Sequence, residues 1–137
     1  MPEEEKIQKG SESILVVDDD GMQRQVVLKL LKKLGYNATA VESGEKALEF
    51  LQGNNCDLML LDMIMPDGID GTETLRRALE IEPGQRAIIV SGYAGSDRVE
   101  EAIELGAGGF LKKPLSLKTI ALAVREELDR VSENARL

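Results

Sequence analysis

From Ile14 onward, short apolar runs alternate with amphipathic stretches. "ILVV" (Ile14–Val17) is continuous and rich in β-branched residues, the pattern of a strand covered on both faces. A helical stripe of Val26, Val27, Leu30, Leu31 and Leu34 follows, with Gly35 as its stop. "YNATAV" (Tyr36–Val41) is a second, less apolar strand, expected at an edge of the sheet. Ser43 caps a helix that carries Ala47, Leu48 and Leu51 and ends at Gly53 and Asn54. "LMLL" (Leu58–Leu61) is the third strand and ends at Asp62. The loop "MIMPDGIDG" leads to a helix with Leu75, Ala78 and Leu79 inward, closed by Pro83 and Gly84. "AIIV" (Ala87–Val90) is strand four, ending at Ser91, and a helix near Asp97–Leu105 precedes "GGFL" (Gly108–Leu111), strand five. A last amphipathic helix runs from about Ser116 to Val131.

Five strands alternating with five helices predict a parallel sheet between two helical layers, an α/β fold with right-handed crossovers. One domain spans residues 13–131, with a mobile tail or linker remnant at 1–12 and a short tail at 132–137; Glu3–Glu5 and the charges on the last helix are expected to face solvent. In such sheets ligands bind beyond the carboxyl ends of the strands. The polar residues that end the apolar runs fall at that edge: Asp18 and Asp19 after strand one, Asp62 after strand three, Ser91 after strand four and Lys113 after strand five. Lys112 is expected to point away, because side chains alternate along a strand. Asp20 reads as the N-cap of the first helix. "MPDG" reads as a tight turn in which Gly68 or Gly71 allows unusual backbone angles.

Composition narrows the chemistry available to that rim. The 137 residues are 42% hydrophobic and 31% charged, as in a soluble globular chain. No apolar run has the length of a membrane helix, and no signal peptide opens the chain. A net charge of −8 argues against a phosphate backbone as the direct partner. The single cysteine, Cys56, forms no internal disulfide and suggests a reducing cytoplasm. With no histidine in the chain, Ser-His-Asp catalysis, His-ligated zinc and a phosphohistidine on this polypeptide are excluded.

Clustered carboxylates supply the all-oxygen ligand set that Mg²⁺ accepts. Without a cation, two carboxylates about 4 Å apart repel by roughly 4 kcal/mol at an effective dielectric near 20. A phosphoryl group on one of them would need a metal, a hydroxyl donor and a cation around its oxygens. Mg²⁺, Ser91 and Lys113 supply one of each, and Asp62, alone at the end of the central strand, is the candidate nucleophile.

"LVVDDD", "LLDMIMPDGIDG", "IIVSGYA" and "GAGGFLKKPL" occur in the order and spacing of the receiver domains of two-component response regulators, which the chain resembles from Ile14 to about Arg130. The resemblance implies a flavodoxin-like fold with strand order 2-1-3-4-5. It also implies that Asp62 accepts a phosphoryl group from a phosphohistidine on a histidine kinase or histidine phosphotransfer domain. Asp19 would then bind Mg²⁺ directly, Asp18 mainly through water, and Asp62 and the Ile64 backbone carbonyl would complete the protein ligands, with Mn²⁺ able to substitute. Lys113 would pair with the phosphoryl group, held by a cis bond to Pro114. Ser91 would move toward the phosphoryl oxygens and Phe110 would swing into the vacated space. Partners or a second copy would dock through residues 97–131.

Two features depart from the commonest pattern. The switch aromatic is Phe110 where tyrosine is frequent, and neither Ile64, two after the acceptor, nor Tyr93, two after Ser91, presents an amide or carboxylate to orient a water. Slow self-dephosphorylation follows. Within the family the chain looks most like receivers at the C-terminus of hybrid histidine kinases, and "GSESILVVDDD" is similar to the junction preceding them. On this reading the chain is a self-phosphorylating switch rather than an enzyme. Two other functions use the same rim: an aspartate-based Mg²⁺ phosphatase or phosphotransferase for small substrates, and a receiver-like interaction module that takes no phosphoryl group. The first usually needs a second acid shortly after the nucleophile and a cap over the substrate; Ile64 and the short connections supply neither.

Overall fold

The apolar runs form a five-stranded parallel sheet in the order β2-β1-β3-β4-β5 in the computed structural model, which describes residues 9–92 and 97–130. Strand β1 (Ser13–Val17) leads to helix α1 (Gly21–Lys33), β2 (Asn37–Val41) to α2 (Gly44–Gly53), and β3 (Leu58–Asp62) to α3 (Gly71–Ile81). Strand β4 (Ala87–Ser91) leads to α4 (Asp97–Leu105), and β5 (Gly109–Lys112) to α5 (Leu117–Asp129). Glu3–Glu5, Tyr93 and residues 131–137 lie outside the described residues. No helix among those described is long and apolar enough to cross a membrane.

The two-residue period of the strands divides the core into two layers. Leu15, Val17, Met59, Leu61 and Ile89 meet Ala47, Leu51, Leu75, Ala78, Val99 and Ala102, the buried positions of α2, α3 and α4. Ile14, Val16, Leu58, Leu60, Ile88 and Val90 meet Val27 and Leu31 of α1 and Ile120, Ala121 and Val124 of α5 on the other side. Strands β3 and β4 are buried along their whole length, while β2 and β5 are the edges. Hence the apolar runs at β1, β3 and β4 are unbroken, and that at β2 is diluted by Asn37 and Thr39.

Helix α1 buries Val27, Leu31 and Leu34, but Val26 is 48% exposed. The buried residues follow one i, i+4, i+7 line, and Val26 stands on the neighbouring row at the solvent side. Gly35 ends the helix at φ +94°, a conformation that favours glycine. Ser43 and Asp20 cap their helices as their types predict, and Asp70 and Ser116 do so for α3 and α5. Strand β5 runs one residue later than the apolar pattern suggests. At Gly108 a Cβ would run into the Glu127 carboxylate, so a larger residue there requires that side chain to shift.

Two charged residues of α5 correct the expectation that this helix carries its charges outward. Glu127 is 3% exposed, paired with the guanidinium of Arg130 at 2.6 Å and with that of Arg86, which also donates to the Glu127 and Arg130 carbonyls at the helix end. Arg125 is largely buried and gathers the Glu12 carboxylate (2.6 Å), Asp129 (2.9 Å) and the Tyr36 hydroxyl (3.2 Å). The hydrogen bond from Arg125 pulls the Glu12 carboxyl down to about 2. Gly10 N–H donates to the Leu34 carbonyl and Asn37 N–H to that of Glu12. The last residues of the stretch expected to be a tail, 9–12, are therefore engaged with α1, β2 and α5.

Candidate metal and phosphoryl site

The end of β3 and the connections after β1 and β5 bring three acids and one amine to the carboxyl edge of the sheet. Single carboxylate oxygens of Asp18, Asp19 and Asp62 all lie within 4.8 Å of one another. Asp18 and Asp62 are each 5% exposed, and Asp19 faces solvent. The Lys113 amine stands 3.5 Å from Asp18 Oδ2 and 3.4 Å from Asp62 Oδ2, bridging the two buried acids. Lys112 is exposed, as strand alternation requires, and the Lys113–Pro114 peptide is cis.

Three carboxylates against one ammonium leave the cluster short of positive charge. Burial, and then the neighbouring charge of Asp18, push the Asp62 carboxyl up to about 6; Lys113 and the Ile64 N–H, 3.4 Å from Asp62 Oδ1, oppose that rise and do not cancel it. A divalent cation seated among these oxygens would relieve both the repulsion and the desolvation. An all-oxygen, partly solvent-facing donor set suits a hard ion such as Mg²⁺, with waters filling its remaining positions.

The backbone around Asp62 is tightly built. Gly71 N–H, at the start of α3, donates to the Met63 carbonyl at 3.2 Å, and a Cβ on Gly71 would lie 2.5 Å from the Asp62 carbonyl oxygen. Gly68 takes φ +104°, so the two glycines of the turn divide the work: one supplies the left-handed angle, the other the close approach. Ser91 ends β4 with 2% exposure, and its carbonyl accepts the Lys113 N–H at 2.8 Å. Phe110 pairs with Ile89 across β4 and β5 and packs half-buried against the α2–α4 core layer. Asp18, Asp19, Asp62 and Lys113 thus form one cluster, with Ser91 and Phe110 on the two strands beside it. The Ile64 side chain points out, 52% exposed.

Two contributors escape a reading of the sequence. Arg24, one turn into α1, donates to the Asp18 carbonyl at 2.8 Å. Glu45, at the start of α2, accepts from Ile69 N–H at 3.0 Å and so fixes the loop after Asp62. Arg24 lies close to the acids along the chain and could be suspected from that; Glu45 is 24 residues from Ile69 and leaves no local signal.

A family model described as the response regulator receiver domain matches residues 14–125. The sporulation initiation phosphotransferase F of Bacillus subtilis (strain 168) is 36% identical over 118 residues, covering 86% of this chain and 94% of that protein. Sensor kinase CckA of Brucella abortus (strain 2308) is 34% identical over 134 residues, covering 93% of this chain and 14% of the kinase. Several curated relatives are long proteins of which the chain spans only 13% to 31%. Among solved structures, a CheY-like response regulator receiver domain protein from Methanospirillum hungatei JF-1 superposes with a TM-score of 0.81 at 28% identity, over 88% of this chain and 95% of that one.

Proposed function

The chain belongs to the response regulator receiver domain family, the phosphoacceptors of two-component signalling, and from that premise we propose that Asp62 is its phosphoacceptor. The observation that carries this is the convergence of Asp18, Asp19, Asp62 and Lys113 at one sheet edge. An Asp62 carboxylate oxygen attacks the phosphorus of a phosphohistidine on a histidine kinase or phosphotransfer domain. The P–N bond breaks, the imidazole nitrogen leaves with its electron pair and takes up a proton, and an aspartyl phosphate remains. Asp19, Asp62 and the Ile64 carbonyl, with Asp18 mainly through water, would hold Mg²⁺, which would neutralise the phosphoryl charge. Lys113, already between the acids, pairs with a second phosphoryl oxygen.

The added charge and acceptor oxygens then draw the Ser91 hydroxyl inward, and Phe110 follows into the space it leaves. The surface formed by α4, β5 and α5 carries that change to a partner or a second copy. A cytoplasmic setting and attachment to a kinase, as in CckA, accord with the composition and the match. The small-substrate phosphatase reading is disfavoured because Ile64 stands where such an enzyme needs a second acid.

Incubation with a radiolabelled phosphohistidine donor and Mg²⁺ tests the proposal. Wild type should take up one phosphoryl group that alkali or hydroxylamine removes, and Asp62→Asn or chelation should prevent it. Equal labelling of Asp62→Asn would overturn the assignment.

A further inference from the structure

We propose that Arg24 is a positioning residue for the metal-binding acids, acting through the main-chain carbonyl of Asp18; the inference rests on Asp18 and Asp19 being Mg²⁺ ligands. The Asp18 carbonyl belongs to the peptide plane that joins Asp18 to Asp19. A donor on that oxygen therefore fixes the direction in which the Asp19 backbone leaves the strand, and with it the separation of the two carboxylates. Arg24 Nη1 makes this bond at 2.8 Å, with the guanidinium folded back over Gly21, at which a Cβ would sit 3.4 Å from Nη2.

The rest of the turn is closed by the same two residues and by Asp20. Asp20 N–H donates to Asp18 Oδ1 at 2.9 Å, and Asp20 Oδ1 accepts from Met22 N–H at 2.9 Å and Gln23 N–H at 3.3 Å. Arg24 N–H donates to the Asp20 carbonyl at 3.0 Å. Arg24 thus holds the turn twice, by its main chain at Asp20 and by its side chain at Asp18. Asp18 is also tied on the strand side, where its N–H meets the Val41 carbonyl at 3.2 Å. Asp19, the exposed acid, is suspended between two fixed neighbours.

Charge alone makes the opposite demand. A guanidinium beside a divalent-cation site repels the cation, so removing it should tighten Mg²⁺ binding if Arg24 contributes only a field. If it positions the acids, removal weakens binding despite the relieved repulsion. The direction of the change separates the two roles.

The test titrates metal-free protein with Mg²⁺ by calorimetry, for wild type, Arg24→Gln and Arg24→Lys. Arg24→Gln should bind about tenfold more weakly, the usual effect of losing a partner that orients a ligand, and Arg24→Lys should fall between it and wild type. Amide hydrogen exchange without metal should quicken at residues 18–24 and stay unchanged in β3 and β4. Unchanged or tighter binding by Arg24→Gln, or a uniform rise in exchange across the sheet, overturns the inference. Should Arg24→Gln not fold, Arg24→Met decides, because it keeps the aliphatic stem and removes the donor: weaker binding supports positioning, and unchanged or tighter binding overturns it. Failure of the wild type itself to bind Mg²⁺ would instead strike the assignment of Asp18 and Asp19 as ligands.

Discussion

Replacing Asp62 with asparagine deletes a carboxylate that folding takes out of water and sets beside Asp18, while keeping its size. In the metal-free protein that carboxyl is pushed up to about 6, against an ordinary value near 3.9 for an aspartate. A raised carboxyl favours the folded state fully below its unfolded pKa, and the benefit disappears as the pH climbs through the folded one. At about pH 8 both states are ionised, and the native state carries a penalty of about 3 kcal/mol, from ~1.4 kcal/mol for each of about two pH units. At about pH 5 the native carboxyl is largely protonated, and about half of that penalty remains. The substituted side chain still buries a polar amide and forgoes the attraction of Lys113, so Asp62→Asn should be more stable than wild type by about 1–3 kcal/mol at the higher pH. Urea unfolding with the metal chelated measures both values. Mg²⁺ should then close the gap from the other side, since a ligand at 100 times its Kd stabilises by about 2.7 kcal/mol and the neutral amide offers the ion less than a carboxylate does. A variant no more stable than wild type at about pH 8, with the same pH slope, would refute a strained acidic cluster.

Lys113→Met removes the only cation bridging Asp18 and Asp62 among the described residues, so the Asp62 titration followed by NMR should move above 6 and phosphoryl uptake should fall. Gly71→Ala drives a methyl against the Asp62 carbonyl and should cost about 1–3 kcal/mol in denaturant unfolding, with Mg²⁺ affinity reduced as the loop shifts. Glu127→Gln breaks the pairing with Arg86 and Arg130 and should cost about 2 kcal/mol, the range for hydrogen bonds to charged partners, read as a lowered urea midpoint. Phosphorylated protein should lose its label slowly, and Ile64→Asn should shorten that lifetime; rapid loss from purified wild type would contradict the role given to Ile64.

The fold was legible because a parallel sheet covered on both faces writes itself as unbroken apolar runs, and the acids that end those runs could be read as a rim. Asp18, Asp62, Ser91 and Lys113 each end or follow a buried run, so register alone brings them to one edge. What could not be read was charge turned inward. Glu127 and Arg125 occur in the charged last turns of an amphipathic helix, where the usual partner is water. Beside their neighbours Arg130 and Asp129, they take partners far along the chain, Arg86 and Glu12, which only the folded geometry brings to them. Glu45 and Arg24 were missed for a related reason: their bonds go to backbone groups, which carry no residue type for a pattern to find. Val26 marks the resolution limit of a helical stripe, where one row separates core from solvent.

The engagement of residues 9–12 has a mechanical meaning. Glu12 is held by Arg125 of α5, and Gly10 by the end of α1. Tension or torsion applied to this segment is therefore handed across a guanidinium to the last helix as well as into the sheet, where Asn37 of β2 holds the Glu12 carbonyl.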